Sequence, residues 1–480
     1  MSVELDKSCK EKLLGYFKNI SAVPRCSGKE EKISQYLYDM AVEKGWDVEK
    51  DSISNIIIRK KGTKGYENKP AVILQGHMDM VCEKEKGNDH DFLNEGILMK
   101  QAGKWLHAED TTLGADNGVA IAYGLAILDS KKLQHPPLEI VFTVGEETTM
   151  RGAFGLQLEK LKGKMLINLD SEEEGVITAG CAGTTHVTYG IPVEYDKEAS
   201  GETYTIRVCG LTGGHSGTDI DKRRANANKI LGQVLEEVLS STDTKLISIC
   251  GGTKENVIPQ EAAARMFTNN YVGLEALIKK LEENLKGEYA GTDPGLTLEL
   301  EKNQCEAYKA FTKHTWNTIV KAICKTKDGP IYWNNEKKML IVSSNLGVMK
   351  TLEDKVLIVS NTRSSDEALK KEVTNEMCQL AKELGITSKV KDTSFPWEYA
   401  EKSRLRDIAI KAYNQVTGKQ AKVICIHAGV ECGYFVKEMK GLDAISIGPT
   451  IENVHTTKER LDIQSFFNTY EYLLYILQNI

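Results

Sequence analysis

The 480-residue chain has no apolar run approaching the roughly 18 residues of a membrane helix, so no membrane partner is expected. It has no basic excess: 62 Lys and Arg against 68 Asp and Glu leave a net charge of -6. A nucleic-acid surface shows a basic stripe or interleaved aromatics, and that partner is excluded. The start, MSVELDKSCKEK, lacks the apolar core of a secretory signal. Among 11 cysteines, an odd number, no C-x-x-C pair occurs. That argues for reduced thiols, most of them small core residues, and a cytoplasmic location. There is no low-complexity linker. What is present is ordinary for a globular protein, 41% hydrophobic and 27% charged. The length suggests two or three domains.

Two textures alternate. Ser27-Gly28-Lys29-Glu30 reads as a capping box. Behind it Ile33, Tyr36, Leu37, Met40 and Ala41 share one helix face, and Gly45 is the stop. Strands at Ser54–Arg59, Ala71–Leu74, Leu138–Val144 and Met165–Leu169 alternate with helices such as Asn117–Leu128. Continuous apolar strands of this kind predict an α/β domain with a mostly parallel central sheet flanked by helices. Near residue 185 the pattern changes to alternating strands such as Thr203–Cys209. The order strand, helix, strand, strand recurs from about 295, which predicts an inserted α+β region of two similar units. After about 400 the α/β texture returns. The predicted domains are 1–185 with 400–480, discontinuous, and 186–399, inserted.

The ends of the apolar strands carry the chemistry. LQGHMDMVC presents His77 and Asp79, two residues apart and on one side of an extended chain. Glu146 and Glu147 follow the next strand, and Asp170 ends MLINL. Asp116 opens a helix in LGADNGVAIA, and His455 lies beyond DAISIG. Taken singly, each is ordinary: a polar loop, a solvated acidic pair, a turn with a helix cap. Together they sit where α/β sheets gather ligands, outside the carboxyl ends of strands. Five carboxylates and two imidazoles at one point would repel without a cation. Imidazole plus carboxylate without thiolate suits zinc, manganese or cobalt. The assignment is His77 on one metal, His455 on the other, Asp116 bridging, and Glu147 and Asp170 completing the two sets. Asp79 would fix the tautomer of His77. Glu146, left over, would be the general base.

GHMDMV, GADNGVA, GEETTMRGAFGL, NLDSEEEG and GPTIENVHTTKERL, in this order, resemble the di-zinc aminoacylase/carboxypeptidase superfamily, and within it the aminoacyl-histidine dipeptidases. The insertion motif GGHSGTDI and the late motif IHAGVECGYF extend the resemblance over nearly the whole chain. It implies His77, Asp116, Glu147, Asp170 and His455 as zinc ligands, with Asp79 and Glu146 as orienting acid and base. It also implies a cis bond between Asp116 and Asn117. The implied reaction is hydrolysis of short unblocked peptides, preferentially Xaa-His dipeptides, by a zinc-bridging hydroxide. The alternative is a related di-zinc N-acyl-amino-acid deacylase or a dipeptidase of other preference. Two Zn2+ per chain are expected, with Co2+ or Mn2+ as substitutes. His215 resembles a lid histidine that donates to the oxyanion, from its own chain or a partner's, and a homodimer is compatible with this. For the substrate, Arg363 reads as a carboxylate clamp or a surface salt bridge. Asn256 is a weaker polar contact, and Gly429 a source of backbone donors. His427 is not counted as a ligand.

Overall fold

The computed structural model describes residues 5–241, 243–303, 306–335 and 339–480. They form two compact units. The first comprises Met1–Cys181, Trp397–Cys425 and Val430–Ile480; the second comprises Ala182–Pro396 with Ile426–Gly429.

The first unit is built on an eight-stranded sheet. Its central strands are Leu138–Thr143, Val72–His77, Met165–Asn168 and Asp443–Ser446, paired parallel in that order. The first three are buried at every position, as expected of parallel strands covered on both faces. The outer pairings of Ile56–Lys60 and Val176–Cys181 with this group are antiparallel. Helices Lys7–Ser21, Ala115–Asp129, Arg404–Thr417 and Ile463–Asn479 supply the core that covers the strands. A small antiparallel sheet holds the hairpin Ile451–Asp462, in which His455 is exposed between the two strands.

The predicted helix face is observed: Ile33, Leu37 and Ala41 are fully buried. The predicted capping box is not. The helix begins at Glu31, and the Ser27 hydroxyl donates to Asp79 Oδ2 at 2.8 Å instead. Glu30 accepts from the Gly28 amide at 2.8 Å and from Arg151 at 2.6 Å. The expectation of reduced thiols needs correction for one pair, because Cys26 and Cys82 form a disulfide across 56 residues. A parallel bridge between Cys26 and Met80 brings the two cysteines together, and spacing alone does not reveal it.

The second unit contains a nine-stranded antiparallel sheet. One half orders its strands 297–302, 203–209, 262–268, 244–251; the other orders them 339–351, 355–364, 183–192, 387–394. Both halves read β-α-β-β-α-β along the chain. They join edge to edge where Cys250 pairs with Lys350. The recurrence expected from 295 therefore starts from a different strand. Thr297–Lys302 closes the first half, and Gly183–Pro192, earlier in the chain, opens the second. The first α-helix of this unit, Ala227–Ser241, follows a turn in which Arg223 takes a left-handed φ of 52°.

Candidate metal centre

The carboxyl ends of the four parallel strands converge as the sequence suggests. His77 is the last residue of its strand and only 1% exposed. Its Nε2 lies 3.0 Å from Asp116 Oδ1 and 3.2 Å from Asp170 Oδ1. His455 Nε2 lies 3.1 Å from Asp116 Oδ2 and 3.0 Å from Glu147. Asp116 thus turns one oxygen towards each imidazole. The bond between Asp116 and Asn117 is cis. Asn117 then anchors this turn, with its Nδ2 donating to Leu169 O at 2.7 Å and its Oδ1 accepting from the His77 amide at 3.3 Å.

Asp79 is fully buried behind His77, with Oδ1 3.4 Å from Nδ1. Its carboxylate also accepts the amides of Glu146 and Glu147 at 3.0 and 3.2 Å. The Asp79 carboxylate thus lies beside the imidazole and anchors the first turn of Glu146–Thr149, while the Asp79 carbonyl lies 3.1 Å from His77 Nδ1. Glu146 belongs to the same cluster, and three overlapping groups place ligand atoms within 4.8 Å of one another: His77, Asp116, Asp170; His77, Glu146, Glu147; and Asp116, Glu147, His455.

The electrostatics show what this arrangement needs. Burial, then the neighbouring Asp116, push Glu147 up to about 7. Burial raises Asp170 to about 6. Burial also puts Glu146 well above the usual carboxylate range, with Asp170, Glu147 and Glu431 adding to the shift. Burial opposes charging of His77, but Asp170, Asp116 and Asp79 outweigh it and hold the ring well above its ordinary value. Hydrogen bonds to Asp116 and Glu147 hold His455 up at about 11. The acids of the cluster crowd one another, and positive charge relieves them. Two imidazoles, a carboxylate shared between them and one further acid beside each fit a pair of divalent cations with oxygen and nitrogen preference.

One member of the neighbourhood was not singled out from sequence. Glu431, in the AGVECGYF motif, is fully buried, accepts from Thr143 Oγ1 at 2.7 Å and contacts Gln75. Burial pushes its carboxyl up to about 7. Only its long-range pairing with two strand residues distinguishes it from a helix-start acid.

In the second unit, His215 lies in a two-residue strand. Its Nδ1 accepts from the amides of Gly217 and Thr218, both at 3.3 Å. A neutral ring bonded this way carries its proton on Nε2 and is a donor there. Arg363 is buried, 7% exposed, with Nη1 donating to Thr184 Oγ1 at 3.1 Å. Among the described residues it has no ion-pair partner, so the surface-salt-bridge alternative does not hold. Burial lowers it to about 10. His427 is held down to about 3 by burial and then by Arg363, and its Nε2 lies 2.7 Å from Ser343 Oγ. Asn256 is exposed, and its carbonyl accepts the Ser216 amide at 2.9 Å. Gly429 closes the Ile426–Gly429 segment of this unit.

These features define a metal-dependent peptidase. The chain belongs to peptidase family M20/M25/M40, whose model matches residues 73–479. It is 35% identical over 481 residues to the cytosol non-specific dipeptidase of Escherichia coli (strain K12), covering 99% of each chain. It is similar to the crystal structure of aminoacylhistidine dipeptidase from Vibrio alginolyticus, with a TM-score of 0.87 and 33% identity over 98% of this chain and 96% of that one. Aminopeptidase PepT from Bacillus cereus ATCC 10987 shares the fold, with a TM-score of 0.58 and 17% identity over 98% of both chains. Among the described residues no helix is long and apolar enough to cross a membrane.

Proposed function

We propose that the protein is a cytoplasmic di-zinc dipeptidase that hydrolyses short unblocked peptides, with Xaa-His dipeptides favoured. The observation that carries the reading is Asp116, whose two oxygens address two different imidazoles at 3.0 and 3.1 Å. His77, Asp116 and Asp170 would hold one Zn2+, and His455, Asp116 and Glu147 the other, with Co2+ or Mn2+ as substitutes. Bound cations of this kind supply Lewis-acid polarisation of a carbonyl and acidify water.

The chain's own groups do the rest. Glu146 makes no contact with either imidazole comparable to that of Glu147 with His455, so it is assigned as base rather than ligand. A carboxylate beside the ligand set can take a proton from the attacking water and pass it to the leaving amine. Asp79 holds His77 in the tautomer that leaves Nε2 free to ligate. His215, protonated on Nε2, is the donor for the developing oxyanion. Arg363, a buried guanidinium lacking an ion-pair partner among the described residues, takes the substrate carboxylate in a fork. Asn256 and Gly429 are assigned as weaker substrate contacts. A homodimer, with the second unit as the dimerisation element, completes the proposal. Similarity to the Vibrio alginolyticus structure supports the histidine preference, while the Escherichia coli relative's name indicates tolerance of other residues.

The test is hydrolysis of an unblocked Xaa-His dipeptide by zinc-loaded protein, with and without chelator. Chelator-sensitive turnover, faster than on the N-acetylated amino acid, is expected. Turnover of only the blocked substrate, with zinc bound, would replace the reading with a deacylase.

A further inference from the structure

Glu459 lies four residues beyond His455 and is 2% exposed. Its carboxylate accepts four consecutive backbone amides. Oε2 takes those of Leu113 at 2.7 Å and Gly114 at 2.8 Å; Oε1 takes those of Ala115 at 2.7 Å and Asp116 at 3.3 Å. The run of donors ends on the residue that faces both imidazoles. The turn curls around a single carboxylate because Gly114 adopts a φ of 70°. A Cβ there would lie 2.5 Å from Arg25 Nη2.

Arg25 closes the arrangement from the other side. It is 1% exposed, its Nη2 donates to Gly114 O, and its Nη1 donates to the carbonyls of Met78 at 3.1 Å and Asp79 at 3.2 Å. Glu459 is the largest influence among the acids that favour its charge, ahead of Asp79 and Asp116. Three segments are thereby tied through two buried side chains: the His455 hairpin, the Asp116 turn and the His77 strand end. An anion suits the position better than a neutral polar group. Four N–H donors meet the lone pairs of two carboxylate oxygens, and glutamine would turn an NH2 towards two of them.

We propose that Glu459 is a positioning residue for the metal centre, fixing the Asp116 turn against the His455 hairpin so that the cation held by Asp116, Glu147 and His455 binds tightly. The inference rests on the two-cation reading above. His77 ends one strand and Asp170 follows another, and Glu459 bonds to neither, so the two positions should respond unequally.

Zinc is titrated calorimetrically into chelator-stripped wild type, Glu459→Gln and Glu459→Asp, with far-UV circular dichroism as the fold check. Fewer than two zinc ions on the wild type would sink the two-cation reading itself. With two on the wild type, Glu459→Gln should keep one tight zinc and bind the second about 10- to 100-fold more weakly. Two zinc ions at wild-type affinity on a folded Glu459→Gln overturn the proposal. Should that variant not fold, Glu459→Asp decides, since it keeps the charge on a shorter stem. A selectively weakened second zinc supports the positioning role, and wild-type affinity at both sites overturns it.

Discussion

At the scale of single residues, Glu146 and Glu147 are adjacent in sequence yet differ in surroundings. Glu147 meets His455 at 3.0 Å, while Glu146 lies within 4.8 Å of His77 and Glu147 and feels fields of both signs. Exchanging the base carboxylate for an amide should therefore leave metal content intact. Glu146→Gln is expected to retain its zinc, measured by emission spectrometry, and to lose about 10²–10⁴-fold in kcat. Full activity in that variant would remove the base assignment. Residue types and strand-end positions made the seven-member cluster legible in the sequence, because an extended chain fixes which way His77 and Asp79 point. Glu431 and Arg25 were not legible in this way. Their roles come from partners up to 356 residues away, and nothing local marks them.

At the scale of elements, the helix bearing Asp116 packs directly on the strand bearing His77. A Cβ at Gly76 would lie 2.3 Å from Ala120 Cβ and 2.4 Å from Asn117 Oδ1. Gly76→Ala must therefore push helix and strand apart, at a cost typical of overpacking, about 1–3 kcal/mol. Urea unfolding should show that loss, and zinc titration should show weakened binding, since the shift separates Asp116 from His77. Stability and zinc affinity both equal to wild type would mean that the helix yields without disturbing the turn. Elements buried on both faces read clearly from their continuous apolar runs. The capping box at Ser27 misled because the hydroxyl donates to Asp79 instead of accepting from a helix amide. The pairing of Gly183–Pro192 with Lys355–Ser364 escaped because strand partners distant in sequence leave no local periodic signal.

At the scale of the whole molecule, the cluster couples stability to pH in opposite senses with and without metal. Folding raises Asp170 to about 6, Glu147 to about 7 and His455 to about 11. Raised values mean that the metal-free folded chain binds more protons than the unfolded one. That contribution is complete below the unfolded carboxyl values and is lost as pH rises through 6 and 7 for the acids, then towards 11 for His455. Zinc must displace the same protons, so its affinity rises with pH. Thermal unfolding between pH 5.5 and 8 should therefore show the gap in Tm between zinc-loaded and chelated protein widening as pH increases. A constant gap would mean that these groups do not exchange protons for metal.

The nesting of one unit within the other also sets an order of assembly on the ribosome. His77, Asp116, Glu147 and Asp170 and three of the four central parallel strands emerge first. The fourth strand, Asp443–Ser446, and His455 follow only after the whole second unit has been made. At about 5–20 residues per second, the unfinished sheet waits on the order of tens of seconds with its edge unpaired. During that interval the nascent chain carries His77 and its acids but not the second imidazole, so the two proposed cation positions would come into being at separate times, the His455 position last.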